Sequence, residues 1–265
     1  SARRSDTAYG MMITPPSWAV VATVDEPPGL VQAYVAWHLS LGAQAVHLYF
    51  DRPDDPAAAH IDGRPGVRVV RCDADHWARL GKSRPRRHEV RQVRNANDAY
   101  GRAAADWLMH CDADEFLSAR DGVAGLLSAL PDDVDSVVIP VAERLHLPGD
   151  QEGSIFAGAF RRPFRGPAEE GRRLFGADYD LTYRGMAGHA QGKVFLRVGR
   201  PAKLSIHRAS PLGDAPLILS RAAPEDLELL HFDGLTPLHW RYKHLRMMCA
   251  LERADGMPPS AHRAR

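Results

Sequence analysis

Short apolar runs recur along the first half of the chain, and most of them end in an acidic turn. Runs rich in β-branched and aromatic residues cover 18–24, 45–50, 67–72, 107–111 and 136–140. Apolar runs of this length bounded by turn residues are typical of buried strands. The pattern therefore predicts a strand in each of these segments.

Helical periodicity separates the strands. Between residues 30 and 41, apolar residues recur at i, i+4, i+7 and i+11, which is one stripe of an amphipathic helix. Further helices are predicted over about 88–104 and over 122–130, where Pro131 follows. Strands that alternate with helices through short loops favour a mainly parallel sheet covered on both faces. We therefore expect an α/β fold, a Rossmann-type α/β/α sandwich.

The two ends of the chain are less regular. Residues 1–17 are polar and end in "TPPS", which indicates a loose N-terminal arm. After residue 140 the sequence becomes rich in Gly, Pro and Arg, with later strands predicted at 192–198 and 202–208 and a helix at 235–254. With 265 residues and 45% hydrophobic content, the chain suits one domain over 18–265.

Composition narrows the classes of partner and compartment. The net charge of +1 gives no global attraction for nucleic acid. The basic stretch 79–94 lacks interleaved aromatic residues and matches no recognition motif, so we expect no nucleic-acid partner. The chain has three scattered cysteines, which favours a reducing compartment. It has no apolar run near 18 residues and no secretory signal, so we expect a cytoplasmic protein. Peripheral membrane association is left open.

Acidic residues follow four of the predicted strands. Because carboxyl ends of parallel strands meet at one edge of the sheet, where ligands bind, we expect these side chains to gather there. The strand-end acids are Asp25, Glu26, Asp51, Asp73, Asp75, Asp112 and Asp114. The Asp-x-Asp pair suits Mn²⁺ or Mg²⁺ with phosphate oxygens as further ligands. The alternative is a solvated turn or a helix N-cap, which the three other acidic strand ends disfavour.

Three blocks of sequence resemble a known family in their order. They are "VVATVDEPPGLVQAYVAWHLSLGAQAVHLYFD" at 20–51, "RQVRNANDAYGRAAADWLMHCDADEFL" at 91–117 and "GKVFLRV…AKLSIHRAS" at 192–210. The chain resembles family-2-type glycosyltransferases of the GT-A fold, in the branch that carries a "DxDEF" metal motif. The resemblance implies transfer of a sugar from a nucleotide-sugar donor to a hydroxyl acceptor, usually with inversion. It implies a nucleotide-sugar-binding half at 18–140 and an acceptor-side half at 141–265.

The resemblance also implies roles for individual residues. Asp112 and Asp114 match the metal and ribose-phosphate positions, and Asp25, Glu26, Asp51 and Asp73 stand where the nucleoside is usually held. In such folds a late residue, commonly histidine, often completes the metal site: we expect His207, with His231 as the alternative and His189 as a third candidate. Arg94 and Lys193 are candidate phosphate contacts, against a solvated helix face for Arg94.

An inverting transfer needs a carboxylate base that takes the acceptor proton. Glu143, Glu152 and Asp178 lie in the plausible stretch, and a structural ion pair is the alternative for each. The usual acceptor of such enzymes is a glycan or a lipid-linked glycan, in polysaccharide biosynthesis.

Two other functions use the same sequence features. A nucleotidyltransferase or phosphohydrolase would keep the metal site, but no Gly-rich phosphate loop follows the first strand. A non-catalytic nucleotide- or sugar-binding protein is favoured by Asp25-Glu26, which replaces the usual Asn-Glu, and is disfavoured by the intact Asp-x-Asp.

Overall fold

The structure is a computed structural model that describes residues 14–81, 83–146 and 154–253. Most of the predicted N-terminal arm and the base candidate Glu152 lie outside the described residues. The strands are β1 (Trp18–Val24), β2 (Ala45–Phe50), β3 (Val67–Arg71), β4 (Trp107–His110), β5 (Glu115–Ala119), β6 (Ser136–Ile139), β7 (Val141–Leu145), β8 (Ala159–Arg161), β9 (Lys193–Arg197), β10 (Ala202–Leu204), β11 (Ala209–Pro211), β12 (Leu219–Arg221) and β13 (Leu227–His231). The helices are α1 (Pro28–Ser40), α2 (Pro56–Ile61), α3 (Ala74–Arg79), α4 (His88–Tyr100), α5 (Val123–Ser128), α6 (Ala168–Phe175) and α7 (Pro237–Arg253), with a 3-10 helix at Gly176–Leu181.

A seven-stranded sheet forms the centre, in the order β12-β6-β9-β4-β1-β2-β3. The pairs β1–β2, β1–β4, β2–β3 and β6–β12 are parallel, and only β9 runs antiparallel to its neighbours β4 and β6. The predicted α/β class with a mainly parallel sheet is confirmed.

Both faces of this sheet are covered, as β1 shows. All of its residues are buried. Val20 and Ala22 face the core cluster that includes Tyr34 of α1, whereas Val21 faces the opposite cluster, which includes Ala96 of α4. Because successive side chains of a strand point to opposite faces, a strand with no polar alternation must be covered on both sides.

A second sheet, in the order β5-β13-β7-β8, stands beside the carboxyl end of β4. Strand β13 pairs antiparallel with β5 and parallel with β7. Its last residue, His231, lies opposite Glu115 on one side and opposite Glu143 on the other. This sheet was not predicted, and it carries part of the site described below.

The structure differs from the sequence-based expectation at two places. The segment 202–208 is a strand only as far as Leu204, because Ser205 N–H donates to the Arg208 carbonyl at 2.7 Å and turns the chain back as β11. His207 therefore lies in a turn and not at the end of a long strand. The sequence predicts no helix between β2 and β3, but Pro56 begins the short helix α2, and the Asp55 side chain accepts from the Ala57 N–H.

None of the helices in the described residues has the length and apolar character that a membrane crossing requires.

Candidate functional site

The acidic motif lies in the turn between β4 and β5. The Asp112 N–H donates to Glu115 Oε2 at 2.7 Å, and the Glu115 N–H donates to the Asp112 carbonyl at 3.0 Å. A bond from the Phe232 N–H to the Asp114 carbonyl at 2.9 Å ties this turn to the end of β13. Within this turn, Asp112 and Asp114 face different partners, which are described below.

Asp112 is paired with a buried lysine. Lys193 Nζ lies 2.6 Å from Asp112 Oδ2 and 3.2 Å from Glu115 Oε2, while Gln92 Nε2 donates to Asp112 Oδ1 at 2.6 Å. Because β9 is antiparallel to β4, its first residue, Lys193, falls at the carboxyl edge of the parallel strands. A buried ammonium is costly unless it is paired, and these carboxylates supply the pairing.

The pKa values of Asp112, Glu115 and Lys193 follow from their burial and from the ion pairs between them. Burial raises the pKa of Asp112, but the Lys193 ammonium outweighs burial and holds that pKa well below its ordinary value. Burial raises the pKa of Glu115 to about 7, and Lys193 opposes the rise. Burial lowers the pKa of Lys193, but Asp112 and Glu115 outweigh it and raise that pKa above its ordinary value.

Asp114 faces a second lysine, on α7. Its Oδ2 forms an ion pair with Lys243 Nζ and lies 3.6 Å from His231 Nε2. Lys243 Nζ is also 3.6 Å from Asp233 Oδ1. Burial raises the pKa of Asp114, but Lys243 and His231 outweigh burial and hold it below its ordinary value. The charge on Asp114 is thus balanced by side chains from α7 and β13.

Asp114, His231 and Asp233 form the group of three side chains, among the described residues, whose potential ligand atoms are close enough to hold one metal ion. One potential ligand atom from each lies within 4.8 Å of those of the other two. Asp114 and His231 are buried, and His231 Nδ1 and Asp233 Oδ2 have no hydrogen-bond partner among the described residues. Buried polar atoms without a partner are uncommon and can mark an ion site. Two carboxylates and an imidazole are also a donor set that Mn²⁺ accepts, so these residues fit the implied metal.

His231 lies within a carboxylate environment. Its Nδ1 is 4.0 Å from Glu143 Oε2, and its Nε2 faces Asp114. Burial lowers the pKa of His231, but Asp114 and Asp233 outweigh burial and raise it to about 9. The imidazole is therefore protonated near neutral pH, and binding a metal would require it to lose a proton.

Glu143 of β7 is fixed by backbone groups. Its Oε1 accepts from the Ala187 N–H at 2.7 Å and its Oε2 accepts from the Gly188 N–H at 2.5 Å. A Cβ at position 188 would stand 2.7 Å from Glu143 Oε2 and 3.1 Å from His231 Cε1. Glycine at this position lets the backbone approach both side chains.

The other two histidine candidates form a row that leads away from Asp114. The ring of His189 stacks on His231 with 5.8 Å between centroids, and His207 packs edge-on against His189 at 4.0 Å. His207 Nδ1 lies 3.2 Å from the Gly192 carbonyl. His207 is therefore near the site but outside the group of three, and its predicted role as a metal ligand stays a prediction.

Of the expected nucleoside contacts, Asp51 is the most firmly held. Arg91 donates to both of its oxygens, at 2.7 and 2.6 Å, and Arg84 lies 3.1 Å away. Burial raises the pKa of Asp51, but hydrogen bonds from His88 and Arg91 lower it below its ordinary value.

The acids after β1 point to two different partners. Asp25 accepts from Arg52 Nε at 2.8 Å. Glu26 Oε2 lies 2.9 Å from Nε2 of His239, a residue of α7. Glu26 thus connects the end of β1 to the helix that carries Lys243.

Two more expected contacts and one base candidate do not belong to the group of three. Asp73 is exposed and caps α3 by accepting from the His76 N–H at 2.8 Å, while Arg94 of α4 donates to the Ser83 carbonyl at 3.4 Å. Asp178 is exposed in the 3-10 helix.

Sequence reasoning missed Asp233 and Lys243. The His-x-Asp spacing of His231 and Asp233, directly after a β-like run, is a signal that was present in the sequence. Lys243 carried no comparable signal, because it is one of several basic residues on an amphipathic helix.

Comparisons with known proteins complete these observations. No protein-family model and no curated protein matches the chain. Among solved structures, the chain is similar to the mannosyltransferase PcManGT from Pyrobaculum calidifontis in complex with GDP-Man and Mn²⁺, at 12% identity, with a TM-score of 0.45 and 93% of this chain covered. It is also similar to residues 1–349 of S. aureus TarS, at 11% identity, with a TM-score of 0.40 and 93% of this chain covered. The chain spans 66% of the first structure and 68% of the second.

Proposed function

We propose that the chain is a metal-dependent glycosyltransferase that moves a sugar from a nucleotide-sugar donor to a hydroxyl group of a glycan or lipid-linked glycan. The observation that carries the proposal is the group of Asp114, His231 and Asp233 at the carboxyl end of β4, in a mainly parallel sheet. Ligands of such sheets bind at this edge. The ordered sequence blocks that resemble family-2-type glycosyltransferases support the same reaction.

In this proposal Mn²⁺ or Mg²⁺ is held by Asp114, His231 and Asp233. When bound, the ion supplies positive charge that stabilises the diphosphate leaving group. Lys243 already places an ammonium between Asp114 and Asp233, so these carboxylates are arranged around a cation even in the protein alone.

The remaining site residues are proposed either to bind the donor or to position another side chain. Asp112, held by Lys193 and Gln92, presents a fixed carboxylate for the proposed ribose-phosphate contact. Asp25, Glu26 and Asp51 are the proposed nucleoside contacts at the ends of β1 and β2. Glu143 lies beside His231, but both its oxygens accept backbone N–H groups, so we assign it to orienting His231 rather than to taking the acceptor proton. Inversion stays a prediction.

The test is thermal unfolding with UDP, GDP or CMP, each with Mn²⁺ and with EDTA. We expect one nucleotide to stabilise the wild-type protein only with Mn²⁺, and Asp114→Asn to lose that stabilisation. Asp133→Asn, which neutralises an exposed acid between α5 and β6, is the matched control and should behave as wild type. Equal nucleotide stabilisation in Asp114→Asn and the wild type would refute the metal site.

The reaction is tested separately with a panel of nucleotide-sugars and candidate glycans, followed by mass spectrometry. A product in which the sugar is joined to the acceptor supports the transferase. Free sugar with no joined product would indicate hydrolysis instead.

A further inference from the structure

An open cavity of about 370 Å³ lies beside the site, on the side of His207. Its wall includes Gly192, whose neighbour Lys193 pairs with Asp112. His207 also lines it, and the row of His207, His189 and His231 runs from the cavity to the candidate metal ligands. A group bound in this cavity would therefore be adjacent to a sugar held at the metal.

The charged side chains of the cavity are all basic. Arg165, Arg184 and Arg221 line it, and no carboxylate belongs to its described wall. Among the described residues, none of these three guanidinium groups forms an ion pair with an Asp or Glu, whereas Arg91, for example, pairs with Asp51. Arginine is always charged and its planar donors match the oxygens of phosphate and carboxylate groups.

The backbone at Arg184 supports a role for this arginine. Arg184 has φ of 55°, and it is the non-glycine residue with positive φ among those described. Gly185 follows with φ of 81°, and Tyr183 and Met186 bridge across the turn. Two central residues with positive φ are the pattern of a type I′ turn, whose first position usually holds Asn, Asp or Gly. An arginine there is strained by roughly 1 kcal/mol or more, and such strain is concentrated at binding sites.

We infer that this cavity binds an oxyanion, a phosphate or carboxylate group, carried by the acceptor. The acceptor assignment rests on the proposed function, because it depends on the donor occupying the metal side. Arg165, Arg184 and Arg221 come from three different segments of the chain and line the same cavity. An anionic acceptor would be held by its charged group while its hydroxyl faces the donor sugar.

The experiment measures binding of inorganic phosphate by titration calorimetry in EDTA at low salt. We compare the wild type with the double variant Arg184→Gln/Arg221→Gln. The matched control is Arg64→Gln/Arg68→Gln, which removes two exposed charges next to and within β3, at the opposite edge of the sheet from β12. Because hydrogen bonds to charged groups contribute more than neutral ones, we expect the cavity variant to bind phosphate at least about tenfold more weakly and the control to bind as wild type. No phosphate binding by the wild type, or an equal loss in the control, would overturn the inference.

Two further measurements are needed. One identifies whether the bound oxyanion belongs to the acceptor or to the donor, and the other distinguishes a failure of this inference from a failure of the proposed function. Phosphate binding that persists in the presence of Mn²⁺ and the stabilising nucleotide supports a site for the acceptor, whereas competition would assign the cavity to the donor phosphates and overturn the acceptor assignment. Retained Mn²⁺-dependent nucleotide stabilisation in the arginine variant shows that its fold and metal site are intact, so a failure of phosphate binding then concerns the cavity alone. Phosphate binding without any Mn²⁺-dependent nucleotide binding in the wild type would remove the proposed function, and the acceptor assignment with it.

Discussion

At the scale of single residues, His231 has the most informative protonation. The pKa of about 9 in the folded protein exceeds the ordinary value of 6.5, so the folded state holds this proton more tightly than the unfolded chain. The resulting contribution to the free energy of unfolding is fully present below pH 6.5 and is lost as pH rises through 9. Since a bound metal needs the neutral imidazole, the same proton opposes metal binding at lower pH.

We therefore expect His231→Gln to lower the free energy of unfolding at pH 7 and to flatten its decline between pH 7 and 9. Urea unfolding at three pH values in that window, in EDTA, measures both effects. His60→Gln, at an exposed position near the end of α2, is the control and should keep the wild-type decline. The same decline in His231→Gln and in the wild type would show that another group titrates.

The carboxylates of the motif could be identified from the sequence, but their partners could not. Lys193 is 81 residues from Asp112, and Lys243 is 129 residues from Asp114. No local pattern records contacts at that separation. Seen alone, Asp112, Asp114 and Glu115 look like repelling charges that await a metal, whereas in the fold two lysines balance them. Removing Asp114 is therefore expected to leave the positive charges of Lys243 and His231 without their partner carboxylate, rather than to relieve repulsion among the acids of the motif.

At the scale of elements, α7 supplies a cation that pairs with the carboxylates of the candidate metal group. It brings Lys243 to Asp114 and Asp233, and it brings His239 to Glu26 at the end of β1. A divalent ion must compete with the Lys243 ammonium for the same carboxylates.

Lys243→Met should therefore bind Mn²⁺ more tightly than the wild type, while the metal-free protein becomes less stable. Unit charges at about 4 Å interact by about 4 kcal/mol at an effective dielectric constant of 20, so a gain of at least about tenfold is expected. Titration calorimetry with Mn²⁺ alone and thermal unfolding in EDTA test the two effects. Lys203→Met, an exposed lysine on β10, is the control; an unchanged Mn²⁺ affinity in Lys243→Met would argue against competition.

Strand β9 depends on a close approach at Gly192. A Cβ at this position would lie 1.7 Å from the Ile139 carbonyl oxygen at the end of β6, so the two strands must separate to admit a side chain. Gly192→Ala should lower the free energy of unfolding by about 1–3 kcal/mol or more in urea. Gly213→Ala, where a Cβ meets nothing within 4 Å, should change it by less than about 0.5 kcal/mol. Equal stabilities of the two variants would contradict this packing.

Six of the seven strands of the central sheet were predictable, all but the three-residue β12, and those of the second sheet were not, for a physical reason. Strands β1 and β2 are mostly apolar runs, because both of their faces are largely covered. Strand β5 begins with buried Glu115, and β7 contains buried Glu143 and Arg144, so they read as loops. These polar side chains are tolerated inside because distant groups pair with them: Lys193 with Glu115, backbone N–H groups with Glu143, and backbone carbonyls with Arg144.

At the scale of the whole molecule, the two halves expected from the sequence are interleaved. The first half, 18–140, contributes β1 to β4 and β6 to the central sheet, while β9 and β12 come from the second half. Strand β9 fills the space between β4 and β6 and delivers Lys193 to Asp112. In the second sheet, β5 from the first half pairs with β13 from the second. Both the core and the charge balance of the site are thus shared between the halves.

A fragment of residues 1–140 is therefore expected not to fold by itself. Without β9 it would expose Leu108 and Met109, which are fully buried in the whole chain, and leave open the edges of β4 and β6. It would also leave Asp112 and Glu115 without the Lys193 ammonium, which makes their burial still less favourable. Circular dichroism during heating should show no cooperative transition for this fragment, and co-expression with 141–265 should restore one. A cooperative transition of the fragment alone would mean that the first half is a domain in its own right and that β9 only extends its sheet.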